Sequence, residues 1–133
     1  MLLSVIVPCF NEEGNIDLFY EETVKALGDL MPETELIFVN DGSRDATLAK
    51  LRALCARARY RVRVVSFSRN FGKEAALLAG LRSSTGEFTS IIDADLQQRP
   101  SYIVEMMDFL KEHPEYDAVA AYQEERKEDQ LQQ

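Results

Sequence analysis

Two carboxylates one residue apart, Asp93 and Asp95, stand directly after the run Ser90-Ile91-Ile92. At the end of a strand such a pair can converge on one hard divalent cation, which prefers oxygen ligands. A cation held there bridges a diphosphate and neutralises the charge of a departing nucleotide. An isolated Asp-x-Asp is also the signature of a solvated turn, so its place in the fold decides. A second acidic segment, Asn40-Asp41-Gly42-Ser43, is a dense turn signal. A turn alone does not require Asp41, whose carboxylate can accept an N–H from a nucleobase edge. On that reading Asp41→Asn keeps the turn and the fold and weakens only nucleotide binding. Glu12 can serve ribose or base in the same way, whereas Glu13 reads as a first-turn helix carboxylate facing the dipole. Ser68-Arg69-Asn70-Phe71-Gly72-Lys73 brings two cations to this set. Arg69 and Lys73 either touch phosphate or sugar or pair with Asp93 and Asp95; the sequence leaves both open.

The elements between these segments must bring them together. Leu2 to Val7 reads as a buried strand stopped by Pro8. Ile16, Tyr20, Thr23-Val24, Leu27 and Leu30 then recur at helical spacing. Leu36 to Val39 is a second strand. Asp45 is placed to cap a helix whose apolar face is Leu48, Leu51, Leu54 and Ala58. Val62 to Phe67, Lys73 to Ser83, Phe88 to Ile92 and Pro100 to Lys111 follow as strand, helix, strand and helix, the last with Pro in its first turn. Asp117 to Ala121 reads as a fifth short strand, and the polar stretch from Gln123 to Gln133 as a mobile tail, giving a domain over 1–122. No internal repeat is present. Strands alternating with helices predict a mostly parallel sheet covered on both faces, with right-handed crossovers. Ligands of such sheets sit at the carboxyl ends of the strands. The four polar segments above are the segments that follow the four strands.

Composition narrows the chemistry. At 133 residues and 46% hydrophobic content, the chain is one domain with a real core. Fifteen Lys and Arg against twenty-three Asp and Glu give a net charge of -8, the wrong sign for a general nucleic-acid binder. Apolar runs fall far short of the ~20 residues of a membrane span, and no signal-peptide pattern opens the chain. Two cysteines, Cys9 and Cys55, are too few for a disulfide scaffold or zinc cluster, which predicts a reduced, cytosol-side domain. Cys9 lies near the acidic segments but reads as a packing residue. The dinucleotide Gly-x-Gly-x-x-Gly is absent, and Gly72-Lys73 lacks the P-loop glycine, position 67 being Phe. No Gly-x-Ser-x-Gly occurs. His113, the single histidine, reads as a helix-end dipole partner rather than a base. Arg57, Arg59, Arg61 and Arg63 read as a solvated basic edge.

Together these segments resemble glycosyltransferase family 2. Val5-Ile6-Val7-Pro8-Cys9-Phe10-Asn11-Glu12-Glu13 is similar to the family's opening strand and loop, Val39 to Thr47 to its second signature, and Asp93-Ala94-Asp95-Leu96-Gln97 to its metal motif. Ser68 to Ala76 narrows the resemblance to the polyprenyl-phosphate sugar transferases, the branch of dolichol-phosphate mannose synthase and the bacterial undecaprenyl-phosphate glucosyltransferases. The resemblance spans residues 2–121. It implies a GT-A fold, a Rossmann-like α/β sandwich, and a nucleotide-sugar donor, UDP-sugar before GDP-sugar, bound with Mg²⁺ or Mn²⁺. It gives Pro8, Phe10, Glu12 and Asp41 to the nucleoside, Asp93 and Ala94 to the donor, and Asp93, Asp95 and Gln97 to the metal and diphosphate. The acceptor it implies is a polyprenyl phosphate, already an anion at neutral pH, so no residue here is named as a base. The family usually continues its metal motif with an acidic or small residue and two prolines; here Gln98-Arg99-Pro100-Ser101 follows. An Arg common after the fifth strand aligns with Gln123, with Arg126 matching a second one. The resemblance further implies that these residues are the soluble, donor-binding part of a larger enzyme. Its acceptor side and membrane anchor would lie past Gln133, at the cytoplasmic face of a membrane.

Other classes compete. A haloacid-dehalogenase phosphatase also uses Asp-x-Asp, but after its first strand and with Thr or Val where Gln97 stands. A non-catalytic nucleotide-sugar-binding module and a family 2 transferase acting on a polysaccharide are the remaining alternatives.

Overall fold

The computed structural model describes residues 1–115, so the fifth strand expected at 117–121, the tail and the positions of Gln123 and Arg126 lie outside the described residues. Four strands, β1 (Leu3–Cys9), β2 (Thr34–Asn40), β3 (Arg61–Ser66) and β4 (Phe88–Ile91), form one sheet. They run parallel in the order β3-β2-β1-β4. Helices α1 (Ile16–Leu27), α2 (Thr47–Arg57), α3 (Lys73–Ser83) and α4 (Ser101–Glu112) alternate with them, and a 3₁₀ segment, Gly28–Glu33, ends the first crossover.

Strand alternation divides the core between two faces. Leu3, Val5, Val7 and Cys9 of β1 join Leu36 and Phe38 of β2 under α1, α2 and α4, where Ile16, Phe19, Leu51, Leu54, Ile103 and Met107 are buried. On the other face Ile6, Ile37 and Val39 meet Ala76 of α3. Gly80 lets α3 lie close to the sheet, since a Cβ there would run into Ile6 Cγ2. Helices thus cover both faces.

Pro8 does not stop β1. It lies within the strand, paired with Val39 of β2. Ile6 O accepts from Ile92 N–H on the β4 side, while Cys9 O accepts from Asp41 N–H on the β2 side. Alternation therefore turns the missing N–H of Pro8 toward β4, whose pairing with β1 has ended at Ile91. A proline is tolerated there because no ladder bond is lost. β1 and β4 part at this point, and the gap between them is the sheet's topological switch.

The arginine run remains a largely solvated edge, with Arg57, Arg59 and Arg61 exposed and Arg63 half-buried, and its members also find partners within the fold. Arg57 pairs with Asp17 of α1 at 2.7 Å, and Arg63 and Arg61 pair with the buried Glu35 at 3.0 and 3.6 Å. Arg59 stacks over Tyr60. No helix among the described residues is long and apolar enough to cross a membrane.

Candidate functional site

The carboxyl ends of β1, β2 and β4 and the loop after β3 surround an open cleft of about 460 Å³. Pro8, Phe10, Glu12, Asp41, Asp93 and Asp95 line it, joined by Cys9, Asn70, Gly72, Lys73 and Ala76. Six of the eight expected site residues therefore share one cavity. Ala94 does not line it; its side chain is buried in the larger core cluster, leaving only its backbone for a ligand. Gln97 is exposed on the turn after Asp95, and its backbone N–H donates to Asp95 Oδ1 at 3.1 Å.

The walls are built by loop-to-loop hydrogen bonds. Asn11, at φ 53, donates its N–H to Ser43 Oγ and accepts from Arg44 N–H on Oδ1, at 2.9 and 2.8 Å. Glu12 N–H donates to Thr47 Oγ1 at 2.8 Å, and Glu13 N–H to Asp45 Oδ2 at 3.3 Å. Burial raises the Asp45 carboxyl, yet the hydrogen bonds from Thr47 and Glu13 outweigh it and hold it below its usual range. Asp45 thus serves this seam as well as α2, whose capping position is Ala46. The seam fixes the backbone that presents Phe10, which is 44% exposed, and Glu12, whose Oε2 accepts from Asn15 Nδ2. Ser43, Asp45 and Thr47 are the residues that reading the sequence for chemistry passed over.

Asp41 has more partners than the sequence suggests. Only 5% exposed, it accepts on Oδ1 from Phe71 N–H at 2.7 Å, and on Oδ2 from Gly72 N–H and Asn70 Nδ2, each at 3.1 Å. Three of its roughly four lone-pair sites therefore hold the β3–α3 loop. The loop crosses close over Gly42, whose φ is 65 and where a Cβ would collide with Arg69 C and Asn70 N. Of the two cations left open by the sequence, Lys73 reaches Asp93, at 3.0 Å to Oδ1. Arg69 lies instead over the Phe71 ring at 4.6 Å. Cys9 is buried, and burial first, then the charges of Glu12 and Asp93, push its thiol well above the usual cysteine range. It is a packing thiol, not a nucleophile.

On the β4 side, Leu96 holds a left-handed φ of 64, costly for a branched side chain, while packing against the larger core cluster. The turn it bends carries Asp93 and Asp95. No third His, Cys, Asp or Glu side chain joins these two to make a metal cluster among the described residues. A pair of carboxylates left to be completed by phosphate oxygens and water is the usual donor set for Mg²⁺, and hard oxygen ligands suit Mn²⁺ equally. The residues present fit such a cation.

A parallel sheet covered by helices on both faces, with a two-carboxylate cleft at its switch point, defines a Rossmann-like α/β domain with its ligand edge at the carboxyl ends of the strands. The family described as Glycosyl transferase family 2 matches residues 4–133, and the chain belongs to that family. Bactoprenol glucosyl transferase of Shigella phage SfX is 49% identical over 98 residues, 73% of this chain and 32% of that protein. Dodecaprenyl-phosphate galacturonate synthase of Rhizobium johnstonii is 38% identical over 125 residues, 94% of this chain and 37% of that protein. These support the polyprenyl-phosphate sugar transferase branch, and the chain spans about a third of the length of such curated relatives. The crystal structure of S. aureus TarS 1-349 in complex with UDP-GlcNAc matches at TM-score 0.72 and 26% identity, over 85% of this chain and 32% of that one. The mannosyltransferase PcManGT from Pyrobaculum calidifontis, in complex with GDP-Man and Mn²⁺, matches at TM-score 0.64 and 29% identity, over 70% and 27%. The fold is GT-A.

Proposed function

We propose that the protein transfers a sugar from a nucleoside diphosphate donor, UDP-sugar before GDP-sugar, to a polyprenyl phosphate, and that this chain is its donor-binding part. One observation carries the reading: Asp93 and Asp95 share a cleft with Phe10, Glu12 and Asp41 at the carboxyl edge of the sheet. Pro8 and Phe10 would pack against the nucleoside, and Glu12 and Asp41 would take its N–H and O–H groups. Asp93 and Asp95, with Gln97 on the same turn, would hold Mg²⁺ or Mn²⁺ and so seat the diphosphate; Ala94 would contribute through its backbone. When bound, the cation supplies charge neutralisation for the leaving diphosphate. The relatives named for bactoprenol and dodecaprenyl phosphate support the acceptor class. An acceptor phosphate is already anionic, so this chain's contribution is positioning and electrostatics rather than proton removal. Contact with the membrane, at its cytoplasmic face, would come from parts of the protein outside these residues.

The test is transfer by the full-length protein. Labelled UDP-, GDP- and CDP-sugars are each offered with a polyprenyl phosphate and Mn²⁺. The expected outcome is a lipid-phosphate sugar from a UDP-sugar, abolished by EDTA. CDP-sugars should bind and react more weakly, because cytosine has no N3–H to give Asp41. No lipid-linked product from any donor would overturn the reading.

A further inference from the structure

Lys73 is the first residue of α3, and its ammonium reaches across the cleft to both oxygens of one carboxylate. Nζ lies 3.0 Å from Asp93 Oδ1 and 3.3 Å from Oδ2. Both residues line the cleft. The base of Lys73 is fixed, because the preceding Gly72 gives its N–H to Asp41 Oδ2. Its head is not: the side chain is 60% exposed. Among the described residues no cation pairs with Asp95, the second carboxylate of the turn.

A lysine ammonium and a divalent cation compete for the same carboxylate lone pairs. An exposed ion pair is weak and yields readily, and a compact charge on a flexible stem can move without disturbing the backbone. We propose that Lys73 is a counter-ion latch: it occupies Asp93 until a divalent cation arrives, and its displaced ammonium then faces the incoming diphosphate. The cation alone must evict Lys73 with nothing gained by the lysine. Arriving with a nucleoside diphosphate, it evicts a lysine that finds a new anion. Metal and nucleotide therefore bind as a pair, each raising the affinity of the other by the same factor, as linkage requires. This deepens the donor-site reading and rests on it.

The experiment titrates Mn²⁺, followed by the electron paramagnetic resonance of the free ion, into the protein with and without UDP. Wild type, Lys73→Gln and Lys73→Arg are compared, at melting temperatures expected to match because Lys73 is exposed. Lys73→Gln should bind Mn²⁺ alone tighter by about fivefold, the scale of an exposed ion pair. It should also lose a similar factor from the coupling between Mn²⁺ and UDP. Lys73→Arg, which keeps a positive charge opposite Asp93, should bind Mn²⁺ alone no tighter than wild type. If Lys73→Gln binds Mn²⁺ no tighter, while wild type still binds UDP in a Mn²⁺-dependent way, the latch is wrong and the donor site stands. If wild type shows no Mn²⁺-dependent UDP binding, the donor-site reading falls and takes the latch with it.

Discussion

Asp41 joins two roles in one carboxylate. A turn-forming acid after a strand was legible in the sequence, and its place in the cleft agrees with a ligand-facing role. Its three bonds to Asn70, Phe71 and Gly72 were not legible, because the partners lie about thirty residues away and two of them are backbone amides. Those bonds change what substitution does. In Asp41→Asn an amide N–H₂ replaces one oxygen and faces N–H groups, so at least one donor loses its acceptor. Unfolding in urea should show a loss of about 1–3 kcal/mol, in contrast to the intact fold that the turn alone predicts. Unchanged stability would mean that the loop holds without this carboxylate. Lys73 shows the opposite case: the sequence left open phosphate, sugar or the acidic pair, and among the side chains present it meets Asp93.

At the scale of elements, the sequence located the strands and helices better than their ends. α3 runs over Lys73–Ser83 as expected, and β2 and β4 differ from expectation only at their ends. The first helix, expected to reach Leu30, ends at Leu27 because the chain tightens into the 3₁₀ segment Gly28–Glu33. Glu35 was invisible. It lies inside β2, fully buried, with partners on β1, β3 and the α3–β4 connection. Burial is the largest influence on its carboxyl and raises it. Bonds from Ser4, from the hydroxyl and N–H of Thr85 and from Arg63 together prevail, and hold it at about 2 instead of 4.5. A carboxyl lowered on folding stabilises the protein above its unfolded value. That contribution is full above about pH 4.5 and lost as pH falls toward about 2. Melting temperature should therefore fall on acidification through this window, and Glu35→Gln should flatten part of the fall while melting lower at neutral pH. Parallel pH profiles for the two proteins would show that Glu35 carries no such linkage.

For the whole molecule, alternation of strands and helices fixed a parallel sheet but not its order. The order β3-β2-β1-β4 sets β4 beside β1, and this adjacency brings Asp93 and Asp95 against Phe10 and Glu12 across some eighty residues of chain. The site was legible as four strand-end segments because ligands of such sheets gather at one edge. The seam of Ser43, Asp45 and Thr47 was not, since its bonds tie two loops whose proximity only the fold creates. The central claim is that this edge holds a nucleoside diphosphate through a cation on Asp93 and Asp95. Calorimetric titration of UDP into the protein, in Mn²⁺ and in EDTA, tests it most directly, with Asp95→Asn alongside. Affinity should be at least about tenfold higher in Mn²⁺, with most of that difference gone in Asp95→Asn. Equal affinity for UDP in Mn²⁺ and in EDTA would contradict it.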